Sequence, residues 1–173
     1  MTKSLSRSIY LGIGSNLNRK QNIINSVREL KLYFPDLQLS PVYETEAYGF
    51  NGNDFYNLVA GFKSEIKLDE LIQILKNIED ANGRIRNAKK FSDRSIDIDI
   101  LLFGDEVLYP QRLDIPRKEI AKYPFVLKPL ADLAPGTLHP VIGKTISRLW
   151  QEFPDKQNSL KPLSRDEFNL EIV

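Results

Sequence analysis

Cysteine is absent from this chain, histidine occurs once, at position 139, and the charges nearly cancel at a net +1. Without cysteine there is no disulfide, no thiolate-ligated metal and no thiol nucleophile, which fits a reducing compartment. One histidine leaves neither a histidine-based metal centre nor a Ser-His-Asp triad with support. No run of about 18 apolar residues could span a bilayer, and Met1 to Ser8 lacks the apolar stretch of a signal peptide. The chain therefore reads as cytoplasmic and without a membrane partner. A charge this close to zero argues against a nucleic-acid partner, which calls for a strongly basic surface. What is present is ordinary: 173 residues, 42% hydrophobic and 27% charged, about one soluble domain.

The most informative stretch is Arg94-Ser95-Ile96-Asp97-Ile98-Asp99-Ile100-Leu101-Leu102-Phe103. Side chains on a strand alternate between faces. Ile96, Ile98, Ile100 and Leu102 are thus predicted on one face, for the core, and Asp97 and Asp99 on the other, roughly 7 Å apart. Two neighbouring carboxylates repel, and a hard divalent cation relieves that repulsion. Mg²⁺ takes one or two carboxylates and completes its shell with water and substrate phosphates. Solvated Asp-x-Asp pairs are common, so the neighbours matter. Arg94 precedes the pair, and Arg84, Arg86, Lys89 and Lys90 crowd the loop before it. Carboxylates beside a cationic loop suit a metal-bound polyphosphate.

In chain order, Ile9–Ile13 reads as a buried strand broken by Gly14-Ser15-Asn16. Asn18 is a candidate N-cap for a helix through about Tyr33, with Ile23, Ile24, Val27 and Leu30 on one face. Leu37–Glu44 alternates as a second strand, with Leu37, Leu39, Pro41 and Tyr43 on one side. Residues 47–53 form a loop, and Phe55–Lys63 is a third strand. Leu68, Leu71, Ile72, Leu75 and Ile78 mark a second helix, with Gly83 placed to end it. Residues 84–93 form a polar, basic loop, expected to act as a lid over bound substrates. The order β-α-β-β-α-β is that of a ferredoxin-like α+β core. Extra C-terminal strands and short helices follow: a strand near Arg112–Ile115, a helix from Pro124 to Leu133 shortened or kinked at Pro129, and another over Ile146–Phe153. Residues 154–173 read as a C-terminal surface tail with an edge strand at 169–173, leaving 1–153 as the main domain.

Several motifs stop short. Gly12-x-Gly14 has Leu17 where a dinucleotide fingerprint needs glycine. Gly143-Lys144-Thr145 has Leu138 where a phosphate loop needs glycine. It reads as the turn before the last helix. His139 has no carboxylate near it in sequence and reads as a turn residue, and Trp150 as a packing anchor.

Taken together, Leu11-Gly12-Ile13-Gly14-Ser15-Asn16-Leu17, Phe55-Tyr56-Asn57-Leu58-Val59, Ile78-Glu79 through Gly83-Arg84, Arg94-x-x-Asp97-Ile98-Asp99-Ile100-Leu101, Phe125-Val126-Leu127-x-Pro129-Leu130 and Leu138-His139-Pro140 resemble the 6-hydroxymethyl-7,8-dihydropterin pyrophosphokinases of folate biosynthesis, over about residues 9–153. Such enzymes transfer pyrophosphate from ATP to the pterin hydroxymethyl group and release AMP. The resemblance implies that Asp97 and Asp99 bind two Mg²⁺ ions and that Arg84 and Arg94 handle the phosphates. It implies that Asn57 bonds the pterin edge between Phe55 and Phe125, with Thr45, Tyr48 and the loop residue Phe91 completing that pocket. Lys76, Glu79, Arg86, Ile100, Arg112 and Arg117 fall where ATP is held. ATP and a pterin are the implied partners of a monomer. The chemistry suits the composition, because the nucleophile is the substrate's own hydroxyl.

The chain departs from the family pattern in places. Phe91-Ser92-Asp93-Arg94 replaces Trp-Gly-Pro-Arg, Arg117 replaces a histidine, Tyr123 replaces an arginine and Asn87 replaces a basic residue. Two other readings follow. One is a pterin- or nucleotide-binding paralogue with little turnover. The other is an RNA-binding ferredoxin-like module, although the RNP1-type aromatic run that it needs is absent.

Overall fold

The computed structural model describes residues 5–84, 93–154 and 160–168. An antiparallel sheet runs in the order β5-β1-β4-β3-β6, with β2 also paired to β4. The strands are β1 (Arg7–Ser15), β2 (Gln38–Leu39), β3 (Tyr43–Thr45), β4 (Phe55–Ser64), β5 (Asp97–Phe103) and β6 (Lys161–Pro162). Helices α1 (Arg19–Tyr33) and α2 (Leu68–Ala81) cover one face. A short 3₁₀ turn (Lys118–Ala121), α3 (Pro124–Leu133) and α4 (Ile146–Glu152) cover the other. This is the expected α+β ferredoxin-like order. Among the described residues, apolar layers cover both faces of the sheet.

β1 is central because both its faces are apolar. Ile9, Leu11 and Ile13 join the layer under α1 and α2, and Tyr10 packs toward α3 and α4. Helix α2 ends as its glycine predicts. Gly83 adopts φ 79°, its amide donates to the Asp80 carbonyl at 3.1 Å, and the Arg84 amide donates to the Glu79 carbonyl at 3.1 Å. This paired closure turns the chain back on the helix and aims Arg84 at the sheet.

Several local expectations are corrected. Leu102 does not share the face of Ile96, Ile98 and Ile100. The register against β1 shifts between Tyr10 and Leu11, so Leu101 and Leu102 both pack toward α3, as a bulge dictates. The predicted strand over Leu37–Glu44 is two short strands. Between them the Ser40 hydroxyl accepts from the Val59 amide at 2.8 Å, Pro41 is exposed, and Val42 enters the core. Asn18 does not cap α1 with its side chain. It is left-handed at φ 43°, ψ 40°, and Asn22 Nδ2 closes the turn on the Leu17 carbonyl at 2.7 Å. Residues 112–115 form turns rather than a strand. Pro129 lies inside α3, which continues to Leu133. Part of the expected surface tail is structural: β6 pairs with β3, and Phe168, 3% exposed, packs into the core against Tyr56. Residues 169–173, the expected edge strand, lie outside the described residues.

The turn assignments hold. His139 Nδ1 accepts from the amides of Val141 and Ile142 at 3.3 and 3.2 Å, and Thr145 caps α4 through the Arg148 amide at 3.2 Å.

Candidate active site

The site grows from the register of three strands. Gly14 of β1 pairs with Asp97 on one side and Asn57 on the other, and Gly12 pairs with Asp99 and Val59. A carboxylate, a glycine and an amide thus form one row across the sheet. At about 4.8 Å per strand, Asp97 and Asn57 stand roughly 10 Å apart with no side chain between them. The glycines keep this floor clear. A Cβ on Gly14 would lie 2.9 Å from Asn57 Oδ1, and one on Gly12 would lie 3.3 Å from Leu101. The pair that failed as a dinucleotide fingerprint is the floor of a cavity.

That cavity, about 240 Å³, is walled by Thr45, Tyr48, Phe55, Asn57, Phe125, Arg84, Arg94, Asp97, Asp99 and Arg117, all anticipated from sequence. Asn57 Nδ2 donates to Thr45 Oγ1 at 2.8 Å. Phe125 stacks on Tyr123 with ring centres 5.1 Å apart at 11°, and Tyr48 packs on the outer side of Tyr123 at 4.9 Å. Tyr123, Glu46 and Glu119 also line the cavity and were not assigned to it from sequence. The aromatic spacing Tyr123-x-Phe125 was the available signal for the first. Nothing local marks the other two.

A second cavity of about 320 Å³ lies beyond β5, the edge strand, between α2 and residues 113–117. Lys76, Glu79, Ile100 and Arg117 line it, as anticipated for the ATP side. Arg112 does not. Its guanidinium is turned onto Asp69, and its side chain is 52% exposed. Arg86 and Phe91 lie outside the described residues, as does most of the 84–93 loop. Arg84, Asp97, Asp99 and Arg117 line both cavities, which therefore meet at the carboxylate pair.

Every charge at this junction is partnered. Arg84 Nη1 bonds Asp97 Oδ1 and lies 2.6 Å from Glu79 Oε1. Arg94 Nη1 is 3.4 Å from Asp97 Oδ2, and Arg117 Nη2 is 3.4 Å from Asp99 Oδ1. Glu79, 5% exposed, also accepts from the Ile98 amide at 2.9 Å. It ties α2 to β5 as well as lining the second cavity. Asn16, also buried, clamps the entry to β5. Its Oδ1 accepts from the Arg94 amide at 2.6 Å, and its Nδ2 donates to Asp93 at 2.6 Å.

Electrostatics follow from this crowding. Asp99 is pushed above the usual carboxylate range, first by burial and second by the charge of Asp97, with Arg117 opposing. Its side chain keeps 28% of its surface open, so the strain on its charge comes from packed walls and not from full enclosure. Burial works against the charges of Arg84 and Arg117, yet both are held above the usual arginine value, by Asp97 and by Asp99 with Glu119 respectively. Two carboxylates on one face, with oxygen-only ligands, fit a hard divalent cation. Among the described residues no group of three or more ligating side chains exists, so most of such an ion's shell must come from substrate and water.

Residues 10–135 match the family described as 7,8-dihydro-6-hydroxymethylpterin-pyrophosphokinase. The 2-amino-4-hydroxy-6-hydroxymethyldihydropteridine pyrophosphokinase of Aquifex aeolicus is 34% identical over 157 residues, covering 90% of this chain and 94% of the relative. The enzyme of that name from Porphyromonas gingivalis is 36% identical over 141 residues, covering 76% and 93%. The crystal structure of Plasmodium falciparum HPPK-DHPS wild type with STZ-DHP superposes with a TM-score of 0.65 at 17% identity. That likeness speaks for the fold alone. It covers 86% of this chain and 41% of the longer one. The matched residues take in every strand and helix that lines the two cavities, and the chain belongs to the 7,8-dihydro-6-hydroxymethylpterin-pyrophosphokinase family.

Proposed function

We propose that this chain transfers the pyrophosphoryl group of ATP to the hydroxymethyl group of 6-hydroxymethyl-7,8-dihydropterin, a step of folate biosynthesis. The observation that carries the reading is the meeting of two cavities at Arg84, Asp97, Asp99 and Arg117. An enzyme that joins two small molecules needs a place for each and its charged groups where they touch. The sheet-side cavity, with Asn57, Phe55 and Phe125, suits a flat heterocycle that stacks and presents amide-like edges. The α2-side cavity, with Lys76 and Arg117, suits a nucleotide.

In the reaction the pterin hydroxyl oxygen attacks the β-phosphorus of ATP. The bond between that phosphorus and the α–β bridging oxygen breaks, AMP leaves, and the hydroxyl proton is released. Asn57 and the aromatic walls orient the hydroxyl. Arg84, Arg94 and Arg117 lie where charge accumulates on the transferred group, and such charge stabilisation with positioning accounts for most phosphoryl-transfer catalysis. Asp97 and Asp99 would hold Mg²⁺, two ions in this reading, which when bound supplies charge neutralisation of the phosphates. The same carboxylates pair with the arginines and hold them in the site.

The activity is assigned to residues 1–153, with Phe168 of the C-terminal extension closing the core. A cytoplasmic enzyme belongs to the same proposal, supported by the dependence on ATP and the absence of cysteine, and the family resemblance adds a monomer. The test is a product assay with ATP, Mg²⁺ and the pterin alcohol. Equal amounts of AMP and pterin diphosphate are expected. ADP in place of AMP would mean a different phosphoryl transfer, and binding of both ligands without AMP would leave a binding paralogue.

A further inference from the structure

The structure points to Glu119, we infer, as the positioning residue that holds Arg117 at the junction of the two cavities, an inference that rests on the pyrophosphokinase reading above. Arg117 follows Pro116 and precedes the 3₁₀ turn that carries Glu119. Its amide is fixed by the Leu101 carbonyl of β5 at 2.9 Å, which sets where the side chain begins. Where it ends is set by two carboxylates. Nε donates to Glu119 Oε2 at 3.1 Å, and Nη2 faces Asp99 Oδ1 at 3.4 Å.

The two contacts differ in kind. A guanidinium is planar, so an acceptor on Nε fixes the plane and directs the Nη edge. Here that edge points into the junction. Asp99 lies on the face that the reaction needs, and its partnership with Arg117 is given up when that carboxylate turns to other duties. Glu119 lines the sheet-side cavity and not the α2-side one, so its hold on Nε is free to persist when Asp99 turns away. Without it, a long side chain released by Asp99 has several rotamers available and water to solvate it. With it, the Nη donors stay aimed at the phosphate path. Both side chains are nearly a third exposed, 28% and 29%. Such a pair contributes little to folding stability, so the melting temperature should hardly register its loss.

The test is calorimetric binding of ATP with Mg²⁺, without pterin, to the wild type, Glu119→Ala, Glu119→Gln, Arg117→Ala and the double alanine variant. Pterin affinity and thermal melts are measured alongside. Glu119→Ala and Arg117→Ala should each weaken ATP binding about tenfold. The double variant should be no weaker than Arg117→Ala alone. Glu119→Gln, whose amide oxygen can still accept from Nε, should recover most of the loss. Melting should stay near wild type, and any loss of pterin affinity should be smaller than the loss of ATP affinity, because both residues also border the sheet-side cavity. Unchanged ATP binding in either single alanine variant, additive losses in the double variant, or an equal loss of pterin affinity would each overturn the assignment. If the wild type binds both ligands but makes no AMP, the pyrophosphokinase reading fails, and the Glu119–Arg117 coupling is still decided by the binding data.

Discussion

The two cavities are built by different means. The sheet-side one is cut into regular structure: its floor is two strand glycines, its polar group is Asn57 braced by Thr45, and its aromatic wall rides on α3. These contacts are made within the sheet and α3 themselves. The α2-side one lies off the edge of the sheet, against a segment of turns between Gly104 and Arg117, and its cations are occupied with carboxylates of the same site. A heterocycle can enter a shape that is ready. A polyphosphate must take arginines from their partners. The first arrangement gives selectivity through packing, and the second makes charge neutralisation conditional on the substrate.

The strongest way to break this contrast is at the junction. Asp97→Asn or Asp99→Asn should lower turnover by at least about a hundredfold and leave the fold intact, since each carboxylate faces a cavity and not the core. Steady-state kinetics on variants with wild-type circular dichroism check it. Near-normal kcat in both would remove the carboxylate pair from the chemistry. Asn57→Ala comes next and should act on one side only. Pterin binding should weaken by about 1–3 kcal/mol, the cost of leaving a buried polar edge unpartnered, and ATP binding should hardly change. Calorimetry on each ligand separates the two. Equal losses would mean that the cavities are not independent.

A smaller effect is expected from pH. Asp99 is pushed up to about 7 by burial and by Asp97, against an ordinary value near 4 in the unfolded chain. Between those values the folded state binds more protons than the unfolded state, so this group makes stability fall as pH rises through the window. Melting curves in chelator at pH 5 and pH 8 should therefore converge for Asp99→Asn relative to wild type. The difference should be a few degrees, on the scale of about 2–4 °C per kcal/mol for a chain of this size. Parallel curves would show that Asp99 is already ionised at pH 5.

How much of this was legible in the sequence follows the same division. Periodicity located β1, α1, α2 and β5, and alternation put Asp97 and Asp99 on one face, because regular structure repeats its contacts at fixed spacing. The bulge at Leu101 was not legible, because one unpaired residue depends on how β1 and β5 come to register. The break at Ser40 depends on an amide nineteen residues away, that of Val59. Glu119 and Glu46 reach the cavity through tertiary placement, and no local pattern distinguishes them from surface glutamates. Phe168 read as tail because the core it joins is formed by residues far back in the chain, and Tyr56, against which it packs, lies more than a hundred positions earlier.

The smallest expected effect sharpens the comparison most. Arg112 and Lys76 were both assigned to ATP by resemblance, yet the structure treats them differently. Lys76 lines the α2-side cavity. Arg112 is committed to Asp69 at the start of α2, with both side chains more than half exposed at 52% and 80%, and its backbone amide serves the Leu108 carbonyl at 2.9 Å. An exposed ion pair of this kind is worth about 0–1 kcal/mol, and the guanidinium so placed lies outside the cavity wall. Arg112→Ala should change ATP affinity by less than about twofold, whereas Lys76→Ala, which removes a cation from the cavity wall, should weaken it several-fold. Titrating MgATP into both variants at low and at physiological salt decides between them. If Arg112→Ala is the more damaging, the turns at 108–116 rearrange on binding, and the α2-side cavity is assembled by its nucleotide.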